Sequence, residues 1–234
     1  MTDRPLRAAD ILARRLYEAG CRHAFGMPGG EVLTLVDALE QAGINFHLVK
    51  HENAGGFIAE GVHHRDGAPA ILVATVGPGA MNGVNVVANA EQDRVPMIVL
   101  TGCVDADDAL TYTHQVLDHA AVFAPITKAA FRLTPHGAGV IADKAVNIAL
   151  EPRCGPVHID VPIGVADAPT NGPEPRRAAA SKVAFCGADA ARAREALSCA
   201  KRPIAVVGLD VLRDRSETVL RAFVEHFGIP VITT

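Results

Sequence analysis

Ile44-Asn45-Phe46-His47-Leu48-Val49-Lys50-His51-Glu52-Asn53-Ala54-Gly55-Gly56 runs from a mostly apolar strand, 44–49, into a helix of small residues, 53–65, with one carboxylate, Glu52, at the junction. In an open parallel α/β sheet, ligands bind outside the carboxyl ends of the strands. The junction therefore puts Glu52 at the ligand edge, provided the rest of the chain builds such a sheet.

It repeats the same unit on both sides. A helix through Ala8, Asp10, Ile11, Leu12 and Leu16 is stopped by Gly20, and a short strand, His23-Ala24-Phe25, follows. Gly26-Met27-Pro28-Gly29-Gly30 suits neither element and reads as a loop, after which Val32, Leu35, Val36 and Leu39 mark one helical face ending at Gly43. Strand 70–75 with helix 80–92 comes next, then strand 96–101 with a long loop, a helix over 139–150 and strand 156–161. Ala70-Ile71-Leu72-Val73-Ala74 and Met97-Ile98-Val99-Leu100 are continuously apolar, as expected when both faces of a sheet are covered. The reading is a doubly wound, mostly parallel α/β sheet.

The chain has 234 residues, 49% hydrophobic and 21% charged, with a net charge of −4. That balance does not mark a nucleic-acid or membrane-surface binder. Its five cysteines are widely spaced with no C-x-x-C pair, which argues against a disulfide framework or zinc knuckle and for a reducing, cytoplasmic setting. The first residues lack the apolar core of a signal peptide, and no apolar run reaches the length of a membrane span.

A first domain is expected over 1–165, a linker over 166–186, where Pro, Ala, Asn and Arg lack apolar period, and a second α/β domain over 187–234. Helix 188–200, strand 204–208, helix 217–227 and strand 230–233 make only one β-α-β run. Such a domain needs more strands, so the expectation is a truncated chain or partner elements on another polypeptide.

Thr75-Val76-Gly77-Pro78-Gly79-Ala80-Met81-Asn82-Gly83 leaves a strand and opens a helix, so its glycines allow close backbone approach to a ligand. As a dinucleotide fingerprint it is loose: the spacing is G-x-G-x-x-x-G, and Thr101 stands where an acidic residue would end the next strand. By itself the loop fits a tight turn equally well. His47, His51, His63 and His64 fall on different elements without H-E-x-x-H or matching cysteines, which excludes a zinc site. Glu60 and Arg65 read as surface charges.

Glu52, Gly77-Pro78-Gly79-Ala80-Met81-Asn82, Asp93-Arg94-Val95-Pro96 and Pro125-Ile126-Thr127-Lys128 together resemble, in order and spacing, thiamine diphosphate enzymes of the acetolactate synthase type. Phe25-Gly26-Met27-Pro28-Gly29-Gly30 is similar to that family's N-terminal loop, and Arg202 to Thr234 to the start of its central domain. The resemblance implies a pyrimidine-binding domain whose glutamate, here Glu52, hydrogen-bonds N1′ of the cofactor aminopyrimidine and promotes the imino form that activates the thiazolium for attack on a 2-oxo acid.

It further implies that Thr75, Pro78, Gly79 and Asn82 contact the cofactor, and that Gly29, Gly30, Gln115 and His114 face substrate. Glu31 joins that wall, although an acid in the first helical turn is its simpler reading. Many family members read Phe-Gln-Glu where this chain has His114-Gln115-Val116, so standard carboligation is in question and His114 and His119 become candidate substrate contacts, against the alternative of solvated loop histidines. Magnesium ligands, a Gly-Asp-Gly with a downstream Asn, are expected outside this chain. FAD on the central domain stays open. The implied partners are a second subunit, as homodimer or homotetramer, or a separate diphosphate-binding subunit. Two alternatives stand beside this reading: a nucleotide-binding module using 75–83, and a non-catalytic subunit of the same fold.

Overall fold

The computed structural model describes residues 5–170 and 187–234. Contacts divide the chain into two compact units, 1–179 and 180–234.

The first unit runs α1 (Ala8–Glu18), β1 (His23–Met27), α2 (Leu33–Gln41), β2 (Asn45–Leu48), α3 (Glu52–Asp66), β3 (Ala70–Ala74), α4 (Pro78–Asn82), α5 (Val84–Gln92), β4 (Met97–Cys103), α6 (His119–Phe123), β5 (Ala129–Arg132), α7 (Ala138–Leu150), β6 (Val157–Pro162) and α8 (Ile163–Asp167). The six strands form one sheet in the order β2-β1-β3-β4-β6-β5, and every pairing is parallel.

Alternation along the central strands divides the core between the two faces. Ile71, Val73, Ile98 and Leu100 point into a cluster with Leu12, Leu16, Leu35 and Leu39, beneath α1, α2 and α7. Leu72, Met97 and Val99 point the other way, against Val86, Val87 and Phe123, beneath α3, α5 and α6. Each fully buried Leu, Val or Ile is worth roughly 1.5–3 kcal/mol, so β3 and β4, buried at every residue, anchor the unit. At its start the Arg7 guanidinium donates to Asp10 at 2.8 Å on its own helix and to Asp37 of α2 at 2.6 Å. Asp10 first, then Asp37, holds that guanidinium above its ordinary pKa despite burial.

Three expectations change. Helix 80–92 is two helices, divided at Gly83. The long loop after β4 contains α6 and the edge strand β5, whose Ala-Ala-Phe-Arg is too short to carry a readable period. α8 carries helix past the expected domain boundary, to Asp167 in the first residues of the expected linker; residues 171–186 of that linker lie outside the described residues.

The second unit contains α9 (Ala188–Cys199), β7 (Ala205–Val207), α10 (Asp210–Arg213), α11 (Glu217–Phe227) and β8 (Val231–Thr233). Its two strands pair in parallel.

Candidate functional site

Strand order reverses between β1 and β3: the chain winds outward through β2 on one side and through β4 on the other. The crevice at such a reversal is where open α/β sheets take their ligands. The loops leaving β1, β2 and β3 converge there and carry Gly29 to Glu31, Glu52 and Thr75 to Asn82.

Glu52 is the first residue of α3, behind the N-cap His51, whose ring accepts from the Asn53 amide at 3.2 Å. Its side chain turns inward and the residue is only 2% exposed. Asn82 Nδ2 donates to Glu52 Oε2 at 2.9 Å, while Oε1 has no hydrogen-bond partner among the described residues. A Cβ on Gly79 would stand 3.2 Å from that oxygen and 2.7 Å from Thr75 Cγ2. Glycine at 79 thus keeps clear the space over the unsatisfied oxygen. The carboxylate is held by one oxygen and offers the other.

Thr75 continues the wall. Its hydroxyl donates to Glu31 Oε2 at 2.6 Å, and a Cβ on Gly29 would lie 2.4 Å from Thr75 Oγ1. Glu31 sits in the 3-10 turn Gly30–Val32 and borders a cavity of about 520 Å³ with Asp105, Asp108 and Tyr112. Its carboxylate is engaged by Thr75 across the crevice, a contact that the simple first-turn reading lacked. Gly30 has open space around it and Pro78, at the start of α4, is exposed.

The glycine loop is a formed turn. Gly77 has φ +60°, and a Cβ there would lie 2.5 Å from the Gln115 carbonyl, so only glycine fits. Its amide donates to His119 Nε2 at 3.0 Å and is therefore unavailable to a pyrophosphate. The loop of Gln115 accordingly reaches the site through its backbone; Gln115 itself has φ +59° and an exposed side chain. His114 is also exposed and meets the Tyr112 ring edge-on at 6.4 Å. Among the described residues it forms no hydrogen bond to Glu52, Thr75 or Asn82.

His119 is the main correction. As a loop histidine it suggested a substrate contact or a solvated side chain; in the structure it is 1% exposed and wedged between Gly77 and Asp160, with Nδ1 2.8 Å from Asp160 Oδ1. Thr101 Oγ1 donates to the same oxygen at 2.6 Å. Burial works against the charge of Asp160, but the hydrogen bond from His119, the His158 ring 3.5 Å away and the hydrogen bond from Thr101 hold its carboxyl well below the usual range. Nearby, burial first and Asp160 second push the Cys103 thiol up to about 12. Glu60 is also no surface charge: it is buried and accepts from Asn89 of α5 at 3.2 Å. Arg65 is exposed beside Asp66. No cluster of three or more His, Cys, Asp or Glu among the described residues is placed to hold a metal ion.

Residues 6–122, which contain Gly29 to Glu31, Glu52 and Thr75 to Asn82, match the family described as thiamine pyrophosphate enzyme, N-terminal TPP binding domain. The chain belongs to this thiamine pyrophosphate enzyme family. Curated relatives extend the similarity along nearly the whole chain. The acetolactate synthase large subunit of Corynebacterium glutamicum is 33% identical over 98% of this chain and 38% of its own length. The acetolactate synthase of Bacillus subtilis is 31% identical over 97% and 40%. The isozyme 1 large subunit of Escherichia coli is 34% identical over 100% and 42%. The chain thus spans about two fifths of the length of these relatives. No helix among the described residues of this thiamine pyrophosphate family member is long and apolar enough to cross a membrane.

Proposed function

We propose that this chain is the pyrimidine-binding part of a thiamine diphosphate enzyme acting on 2-oxo acids, by carboligation of the acetolactate synthase kind or by non-oxidative decarboxylation, and that Glu52 activates the cofactor. The observation that carries the reading is the asymmetry of Glu52: Oε2 is fixed by Asn82, while Oε1, unpartnered among the described residues, lies under the opening that Gly79 leaves. A buried carboxyl group with one fixed and one free oxygen suits a ring nitrogen that gains and loses a proton. The donor set therefore fits an aminopyrimidine.

When bound, thiamine diphosphate would supply a carbanion at its thiazolium ring and an electron sink for the 2-oxo acid. The chain's own residues orient and exclude. Asn82 holds Glu52 in one rotamer, so Oε1 keeps its place while a proton is shared across it. Thr75, pinned by Glu31, forms the wall beside it. Gly79 and Gly29 let backbone approach where a side chain would block. Glu31 borders the neighbouring cavity with Asp105, Asp108, Thr111 and Tyr112.

The diphosphate and its Mg2+ would be held by a domain outside these residues, and a second subunit would close the crevice. What supports a subunit contact is the outer face of α3, where Phe57 and Ile58 are 41% and 47% exposed, about one and a half turns beyond Glu52. The test is turnover of pyruvate by the assembled enzyme, chain plus diphosphate-binding domain, with and without Glu52→Gln. The expected loss is about 10²–10⁴-fold, with acetolactate or acetaldehyde as the product that separates carboligation from decarboxylation. Full activity in the variant removes Glu52 from this role.

A further inference from the structure

The site described so far leaves one buried polar assembly without a purpose. Four side chains from three elements, His158 and Asp160 of β6, Thr101 of β4 and His119 of α6, meet under the glycine loop, and all are 6% exposed or less. Apolar packing alone would fill that space at lower cost, since buried polar groups are stabilising only when every one is matched.

The hydrogen positions follow by elimination. A backbone amide can only donate, so the Gly77 N–H leaves His119 Nε2 as a bare acceptor. An imidazole with a bare Nε2 carries its proton on Nδ1, and Nδ1 lies 2.8 Å from Asp160 Oδ1. The Thr101 hydroxyl spends its one hydrogen on that oxygen, so His158 Nε2, 2.7 Å from Thr101 Oγ1, has to donate to it. Nδ1 of His158 is then the bare end of the chain. Among the described residues it is the buried ring nitrogen that finds no partner, in a ring tilted against Phe123 at a centroid distance of 4.6 Å. Every hydrogen in the series therefore has one place, and the series ends on the Gly77 amide.

We propose that Asp160 and His119 are positioning residues: the carboxylate locks His119 in the Nδ1–H tautomer, and the locked ring fixes the Gly77 turn from which α4 starts. Two residues beyond Gly77, Gly79 borders Glu52 Oε1, and five beyond it Asn82 holds Oε2. The opposite tautomer would set an N–H against the Gly77 N–H and free the turn. An aspartate that fixes a histidine tautomer is familiar from serine hydrolases; here the ring serves a backbone turn and touches no substrate. The locked turn is a claim about this chain alone, whereas its service to the cofactor rests on the function proposed above.

The test uses 15N-labelled chain. The ring 15N shifts and the through-hydrogen-bond coupling between the Gly77 amide nitrogen and His119 Nε2 should report the Nδ1–H tautomer. Asp160→Asn, which can donate to Nδ1 and so permits the other tautomer, should speed Gly77 amide exchange about tenfold, the worth of one hydrogen bond. In a His119→Gln background, where an amide oxygen accepts from Gly77 whatever stands at 160, the same substitution should leave that exchange unchanged. Protection of Ile98 and Leu100 monitors the fold. An Nε2–H tautomer in the native chain, or an equal effect of Asp160→Asn in both backgrounds, overturns the lock. If Asp160→Asn strips protection from Ile98 and Leu100 as well, the native tautomer and coupling decide. In the assembled enzyme, Asp160→Asn should raise the thiamine diphosphate requirement and His119→Gln should cancel that rise. A loosened Gly77 with unchanged cofactor affinity overturns the positioning role, while a native enzyme that binds no thiamine diphosphate overturns the proposed function and leaves the lock standing.

Discussion

The two units use the same local grammar and reach different degrees of burial. In the first, β3 and β4 are covered on both faces and every residue is buried. In the second, β7 and β8 pair in the same parallel manner, yet Val206 is 60% exposed, Ile232 51% and Phe227 53%. Val207, Leu212, Leu220, Val224 and Val231 border an open apolar hollow of about 360 Å³. Strand and helix formation needs only local pattern and one neighbour, whereas a core needs a second layer. Among the described residues, only the unit that has both layers holds a carboxylate as enclosed as Glu52.

Substitutions can break that contrast, and the largest effect should come from the core of the first unit. Leu100→Ala, at 0% exposure, should cost about 2–5 kcal/mol of unfolding free energy in urea melts. Gly56→Ala should follow, because its Cβ would lie 2.3 Å from Val86 Cγ1 and α3 would have to move off α5; about 1–3 kcal/mol is expected. Asp160 sharpens the comparison through pH. Its carboxyl is held low in the folded state, so its contribution is fully present above the unfolded value of about 3.9 and is lost progressively as pH falls below that toward the folded value. The acid limb of the stability curve should therefore be shallower in Asp160→Asn. Smallest of all, Val206→Ala in the second unit should change stability by less than about 0.5 kcal/mol; a loss as large as that of Leu100→Ala would show that this strand is covered after all.

Much of the first unit was legible because its signal is local. Continuous apolar runs marked β3 and β4, and the change from apolar strand to small-residue helix marked the place of Glu52. β5 was missed because four residues on an edge carry no period, and the break at Gly83 because one glycine in a helical pattern is usually tolerated. Within the site, the residues that sequence misjudged are those whose partners are remote: His119 meets Gly77 and Asp160 across 42 and 41 residues, and Glu60 meets Asn89 across 29. Nothing in the neighbours of a histidine tells whether it lies in solvent or under a turn. A histidine standing near a glycine loop, with an aspartate on a later apolar strand, was the available hint.

The most direct measurement follows exchange of the cofactor C2 proton with deuterium in the assembled enzyme, because that step precedes any choice of substrate. A loss of about a hundredfold or more in Glu52→Gln, with the urea midpoint unchanged, is the result predicted for a carboxyl group that works through its free oxygen. Exchange as fast in the variant as in the native enzyme would contradict it and leave Glu52 as a buried helix-start carboxylate.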